Sequence, residues 1–187
     1  LAMKYKWFHF NRENAMRVMA LWRVSCMCVA VSFSGFAFAG EAKVTWLNPQ
    51  DYTDIASDDG PQQAFQNSMF NYLDEEFTRQ AKELPKGSVL NVTVTNFDMA
   101  GEMRVGPDGQ PVREVQSMWY PQMTVNYQLT DATGTTISQQ LGMVYLYQDF
   151  YNVNSVAREN ESSNEFYFED AMVRQWFYNT FFEKDKK

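Results

Sequence analysis

The residues best suited to acid–base, nucleophilic or metal chemistry all sit at one end of the chain. The only histidine, His9, and both cysteines, Cys26 and Cys28, fall within the first 39 residues. Without that stretch there is no imidazole base, no thiol nucleophile and no Cys/His set for zinc. The remainder also carries no Gly-x-Ser-x-Gly elbow, no Gly-x-x-x-x-Gly-Lys-Ser/Thr phosphate loop and no Gly-x-Gly-x-x-Gly fingerprint. Carboxylates are what is left. They suffice for glycoside hydrolysis, where one acts as acid and a second as base or nucleophile. Asp98, at the end of a strand pattern, heads the candidate polar cluster of Asp98, Arg104, Asp108 and Asp131, with Glu102 beside it. Asp98 and Asp131 read equally as residues that shape turns, so the expectation is a chain that is not an enzyme. Asp108-Gly109 and Asp58-Asp59-Gly60 lack the alternating acidic spacing of an EF-hand loop, and no metal or cofactor is expected.

The boundary itself has a pattern. Lys4, Lys6, Arg12, Arg17 and Arg23 form a basic run, Val24 to Ala39 is small and apolar, and Ala37-Phe38-Ala39 precedes Gly40. These are the three regions of a secretory signal peptide, with cleavage between Ala39 and Gly40. A leader of ordinary length would start at Met16, and Met3 is the other candidate. A membrane anchor needs roughly 20 apolar residues, which favours cleavage over anchoring. The expected division is a signal peptide over 1–39 and one domain over 40–187, located in the periplasm or secreted, with no membrane span after processing.

Export also changes the charge. Five of the 16 Lys and Arg and one of the 23 Asp and Glu lie in the leader, which leaves 11 basic against 22 acidic residues and a net charge of −11. Such a surface repels phosphate backbones and anionic headgroups, so nucleic acid and anionic lipid are not expected partners. An envelope protein or a glycan is. Tyr145, Tyr147, Phe150 and Tyr151 form a candidate binding surface, because tyrosine supplies contact area at low entropic cost. The same rings, beside Gln148, Asn152 and Asn154, would suit sugar stacking.

These groups need elements to hold them. The longest strand pattern runs from Ser88, with Leu90, Val92 and Val94 on one side and Asn91, Thr93 and Thr95 on the other. Lys43–Leu47 reads as a first strand. Pro61 opens a helix with a stripe of Phe65, Met69, Tyr72, Leu73, Phe77, Ala81 and Leu84, capped by Asp58 or Asp59 and ending near Pro85. Residues 101–111 are too rich in Gly and Pro for a core element. Val112–Tyr120 reads as a resumed strand, and Met123–Thr130 and Thr135–Tyr147 form a hairpin about Asp131-Ala-Thr-Gly134. After a polar linker from Asn152 to Asn164, Ser162-Ser-Asn-Glu165 has capping-box spacing. The helix that follows presents Phe168, Met172, Val173, Trp176, Phe177 and Phe181, with Trp176 expected in the core. The expected fold is α+β: a single two-layer domain, an antiparallel sheet of four or five strands and two helices on one face, in the order β-α-β-β-β-α.

Val44-Thr45-Trp46, Asp51-Tyr52-Thr53-Asp54, Leu84-Pro85-Lys86-Gly87, Val94 to Gly101, Tyr120-Pro121 and Leu129-Thr130-Asp131 carry a resemblance over Glu41 to about Phe182. The chain resembles an uncharacterised family of exported proteobacterial proteins, a domain of unknown function. The resemblance implies export and implies no activity. Where that family usually has Asp-x-Asp-Leu-Ala-Gly this chain has Asn96-Phe97-Asp98-Met99-Ala100-Gly101, and Gln122-Met123 replaces Pro-Arg after Tyr-Pro. A carboxylate pair in the family would therefore be halved here, at Asn96.

Overall fold

The computed structural model describes residues 39–57, 60–152 and 164–183. Residues 1–38, Asp58 and Asp59, most of the polar linker and the last four residues lie outside that range. So do the capping serines, the side chains of Tyr151 and Asn152, and Ala37-Phe38 of the expected cleavage site, of which Ala39 and Gly40 are described.

Six strands and two longer helices follow one another: β1 (Glu41–Trp46), α1 (Gln62–Ala81), β2 (Val89–Asp98), β3 (Glu102–Val105), β4 (Pro111–Glu114), β5 (Gln122–Thr130), β6 (Thr136–Leu146) and α2 (Tyr167–Phe181). Four strands make one sheet in the order β1-β2-β5-β6, and β3 and β4 make a separate hairpin. The α+β class, the four-stranded sheet and the two helices agree with the sequence reading. The all-antiparallel sheet does not. β1 pairs with β2 in parallel, from Glu41 opposite Val89 to Trp46 opposite Val94. The cause is the connection: a strand joined to its neighbour through a whole helix returns in the same direction, whereas short turns reverse it.

β2 lies between β1 and β5, which explains its clean alternation. Leu90, Val92 and Val94 are buried beneath the helices, and the polar residues between them face the open side of the sheet. A bulge between Val94 and Asn96 then shifts the register by one. Phe97 consequently enters the core, and Asn96 turns out to bond Thr53.

The helix layer is aromatic. Trp176 is fully buried, as expected, edge-on to Phe77 at 5.8 Å and to Tyr127 at 5.9 Å, with its indole N–H directed at Met143 Sδ. Such edge-to-face pairs add to the area burial that holds α1 and α2 on the sheet. The first helix ends against Gly40, which is buried. A Cβ there would lie 2.3 Å from the Ala81 carbonyl oxygen and 2.9 Å from Leu84 Cβ, so glycine is what lets β1 begin so close to α1.

Among the described residues no helix is long and apolar enough to cross a membrane. Residues 101–115, expected to be loop and then strand, form the β3–β4 hairpin, turning at Pro107-Asp108-Gly109. Its side chains are largely exposed, so apolar alternation could not announce it. Its importance lies in what it closes over.

Candidate functional site

The end of β2 is where separate parts of the chain converge. Asp54 forms a parallel bridge with Asp98, its N–H donating to the Phe97 carbonyl at 3.3 Å while Met99 N–H donates to the Asp54 carbonyl at 3.0 Å. Tyr52 anchors that segment by donating its hydroxyl to the Val94 carbonyl at 2.9 Å. On the other side the hairpin folds back, and Arg113 of β4 spans the gap. Its guanidinium makes two bonds to the Asp54 carboxylate, at 2.9 and 3.1 Å, and also donates to the Ala56 carbonyl at 2.7 Å. One planar fork thus ties the hairpin to the segment beside β2, a geometry that lysine could not reproduce.

Glu169 completes the frame from α2. It is buried, and its Oε1 accepts from Ala100 N–H at 2.8 Å. Burial pushes its carboxyl up to about 7, the Ala100 bond and the Arg113 charge acting in the opposite direction. Gly101 is needed at the next position. Its φ is +86°, and a Cβ would lie 2.6 Å from the Glu114 carbonyl oxygen. The run Asp98-Met99-Ala100-Gly101 is therefore a packing motif as well as a polar one.

These contacts leave an open groove of about 630 Å³ lined by Asp54, Asp98, Glu102, Trp119, Tyr120 and Gln122, among others. Asp54 is neutralised by Arg113, and Glu102 pairs with Arg104 at 2.7 Å. The Arg104 guanidinium also lies over the Trp119 ring, 4.9 Å from its centroid. Asp98 makes no ion pair among the described residues and accepts only from Gln122 Nε2, at 2.8 Å. Burial raises its carboxyl above the ordinary range; the Gln122 bond and Arg113 lower it, and Asp54 raises it further.

Of the expected polar cluster, the groove brings together Asp98 and, at its rim, Arg104. Asp108 and Asp131 are elsewhere. Asp108 sits in the β3–β4 turn and accepts from Gln110 N–H at 3.0 Å. Asp131 organises the β5–β6 turn, accepting from Thr133 N–H at 2.8 Å and Thr135 N–H at 2.9 Å. Both are turn formers, the side-chain oxygen accepting from backbone N–H groups further along the turn.

The expected aromatic surface is corrected. Phe150 is fully buried, edge-on to Phe168 at 5.0 Å. Tyr145 and Tyr147 are only partly exposed and pack against the core. The Tyr145 hydroxyl accepts from Asn179 at 2.9 Å, and burial pushes its pKa up to about 12. The reason is register: Tyr145 lies opposite Met123, whose side of the sheet is the helix side. Rings so placed hold the sheet to α2 and offer no stacking platform.

Sequence reasoning missed Asp54, Arg113 and Glu169 as partners. Glu169 left a signal, since it stands three and four residues before Met172 and Val173, within the apolar stripe of α2. Arg113 left none, because its partner is 59 residues away. Among the described residues no three Asp, Glu, His or Cys side chains converge as a metal site. No curated protein and no solved structure matches the chain. Residues 40–179 match the family described as "Protein of unknown function (DUF3016)", and the chain belongs to that family.

Proposed function

We propose that this chain is an exported, non-enzymatic domain of a Gram-negative cell envelope, periplasmic or secreted after loss of residues 1–39, that binds a basic segment of another envelope protein. The leader pattern supports the location. The observation that carries the binding reading is the charge balance of the groove: Asp54 and Glu102 each pair with an arginine, and among the described residues Asp98 makes no ion pair. A partner's Lys or Arg side chain would supply the missing cation, with its stem against Trp119 and Tyr120. The mature domain's net charge of −11 would steer such a partner from a distance.

A carboxylate-only hydrolase is less well supported. It needs two carboxyls free to exchange protons, and Asp54 is held by two bonds from Arg113. A glycan remains the second reading, because Trp119 and Tyr120 stand beside Asp98 and Gln122, whose polar atoms could bond sugar hydroxyls.

The test is calorimetric titration of the protein with a Lys-containing peptide and, separately, with soluble glycan fragments, alongside Asp98→Asn and Trp119→Ala. Peptide binding weakened about tenfold or more by Asp98→Asn, and by raised salt, is the expected result. Binding of glycan alone favours the second reading. Cleavage of the glycan would overturn the non-enzymatic one.

A further inference from the structure

The groove offers more room than one cation fills. At about 630 Å³ it falls within the range of cavities that take up a whole ligand, roughly 300–1,000 Å³, whereas a partner's Lys or Arg engages it only at Asp98 and the two neighbouring rings. Its polar lining is largely committed. Thr53 donates its N–H and its hydroxyl to Asn96 Oδ1, at 2.9 and 3.1 Å. The Asp54 carboxylate holds Arg113 and Glu102 holds Arg104, while Gln122 Nε2 is turned to Asp98.

Three methionines, Met99, Met103 and Met118, line the same groove. The fold brings them together from two stretches of chain. Gly101 N–H donates to the Trp119 carbonyl at 2.9 Å, so the segment that carries Met118 crosses the chain at Gly101, two residues after Met99 and two before Met103. Met103 stands opposite Arg113 in the β3–β4 pairing and shares its face, the one from which Arg113 reaches Asp54. Met99 is rooted in the core at 3% exposure, Met103 is partly exposed, and Met118 is 67% exposed. Unbranched thioether side chains fit apolar groups of varied shape and recur at surfaces that bind partners.

We propose that the groove has two subsites, and that the basic segment it binds carries a large apolar residue close to its Lys or Arg: the cation meets Asp98, and the apolar side chain packs on Met99, Met103 and Met118. This rests on the binding reading above and adds the class of sequence that is bound. The net charge of −11 attracts basic segments of any kind. The methionine wall discriminates among them. A thioether is only a weak acceptor, so a polar side chain pressed against it gives up water for little in return, whereas an apolar one gains by leaving water. Charge thus brings the partner to the groove, and the thioether surface selects it.

The experiment is calorimetric titration of the protein with short peptides that differ at two positions one residue apart: Lys with Leu, Lys with Ser, and Ser with Leu, each in both orders. In the better-bound order, replacing Leu by Ser is expected to weaken binding about tenfold, and replacing Lys by Ser to weaken it at least as much. Met118→Ser, at an exposed position, should reproduce the loss for the Lys–Leu peptide and leave the Lys–Ser peptide unchanged, and Met118→Leu should keep the parent's affinity. Met103→Ser is the second variant, with the same expected pattern. Lys peptides bound equally well with Leu or Ser would overturn the apolar subsite and leave the basic-segment reading standing. So would Met118→Ser and Met103→Ser proteins that bind the Lys–Leu peptide as the parent does. Binding of no peptide, or of the Ser–Leu peptide as tightly as the Lys–Leu one, would overturn both.

Discussion

The tetrads Asp98-Met-Ala-Gly101 and Asp131-Ala-Thr-Gly134 look alike in sequence, and both end on a glycine with positive φ, +86° and +83°. Their environments are opposite. At Gly101 a Cβ would strike the Glu114 carbonyl, whereas at Gly134 nothing lies within 4 Å. Asp98 is half-buried at a groove and its carboxyl is raised by burial; Asp131 is likewise only partly exposed, yet its carboxyl is lowered by the Thr133 hydroxyl and by backbone N–H groups. Four residues of local sequence set the turn in both places. What separates them arrives from far along the chain: the β3–β4 hairpin with Arg113, and α2 with Glu169. A carboxylate's chemistry is thus decided by what closes over it.

The largest expected effect comes from removing the closure. Arg113→Ala leaves Asp54, whose side chain is 20% exposed, without its cation, and it frees the hairpin. Breaking a mostly buried pair from one side should cost about 3–5 kcal/mol, read as the free energy of urea unfolding. A loss below about 1 kcal/mol, the range of exposed pairs, would mean that the two Asp tetrads do not differ in this way.

Glu169 tests the same region through pH. Its folded value, about 7 against an ordinary 4.5, is raised, so the folded state binds the extra proton. Stability is complete below pH 4.5 and declines as pH rises through 7, by about 3 kcal/mol at about 1.4 kcal/mol for each unit. Glu169→Gln should remove that decline from a series of melting curves between pH 5 and 9. A parent whose stability rises over this interval would contradict the environment assigned to Glu169.

The glycines sharpen the comparison further. Gly101→Ala meets both the left-handed penalty, roughly 1–2 kcal/mol, and the 2.6 Å approach to Glu114. Gly134→Ala meets the penalty alone. Urea midpoints should fall for both, and more for Gly101→Ala. Equal losses would show that the hairpin does not press on Gly101.

Much of this fold is written in local periodicity. The alternation at Leu90, Val92 and Val94 marks β2 because both neighbouring strands and the helix layer bury that side. The aromatic stripe around Trp176 likewise marks α2. Pairing direction is not local, so β1 read as one more antiparallel strand. Nor is a bulge, which is why Phe97 belongs to the core although it breaks the alternation. Tyr145 and Phe150 misled for a related reason: a ring looks the same in sequence whether it faces solvent or a helix. At the groove, Asp98 was legible as the polar end of a strand. The arginine that neutralises its neighbour was not, because an ion pair between residues 54 and 113 depends on register in two separate sheets.

The smallest expected effect belongs to Asp131, and its sign is opposite to that of Glu169. Asp131 Oδ1 accepts from two backbone N–H groups and from the Thr133 hydroxyl, at 2.6 Å, all of which favour the ionised form. Its carboxyl is therefore lowered, and the stability it lends is present above the unfolded value, 3.8, and lost as pH falls through the folded one. Asp131→Asn keeps an oxygen for the same donors and removes only the charge. The variant should melt slightly below its parent at pH 7, and the gap should close as pH falls through the parent's folded value. Because the turn is open to water, solvent and salt screen the charge, and the difference at pH 7 should shrink in 1 M salt. A loss as large as that of Arg113→Ala, or one insensitive to salt, would mean that something closes over this turn as well, and the contrast between the two tetrads would fail.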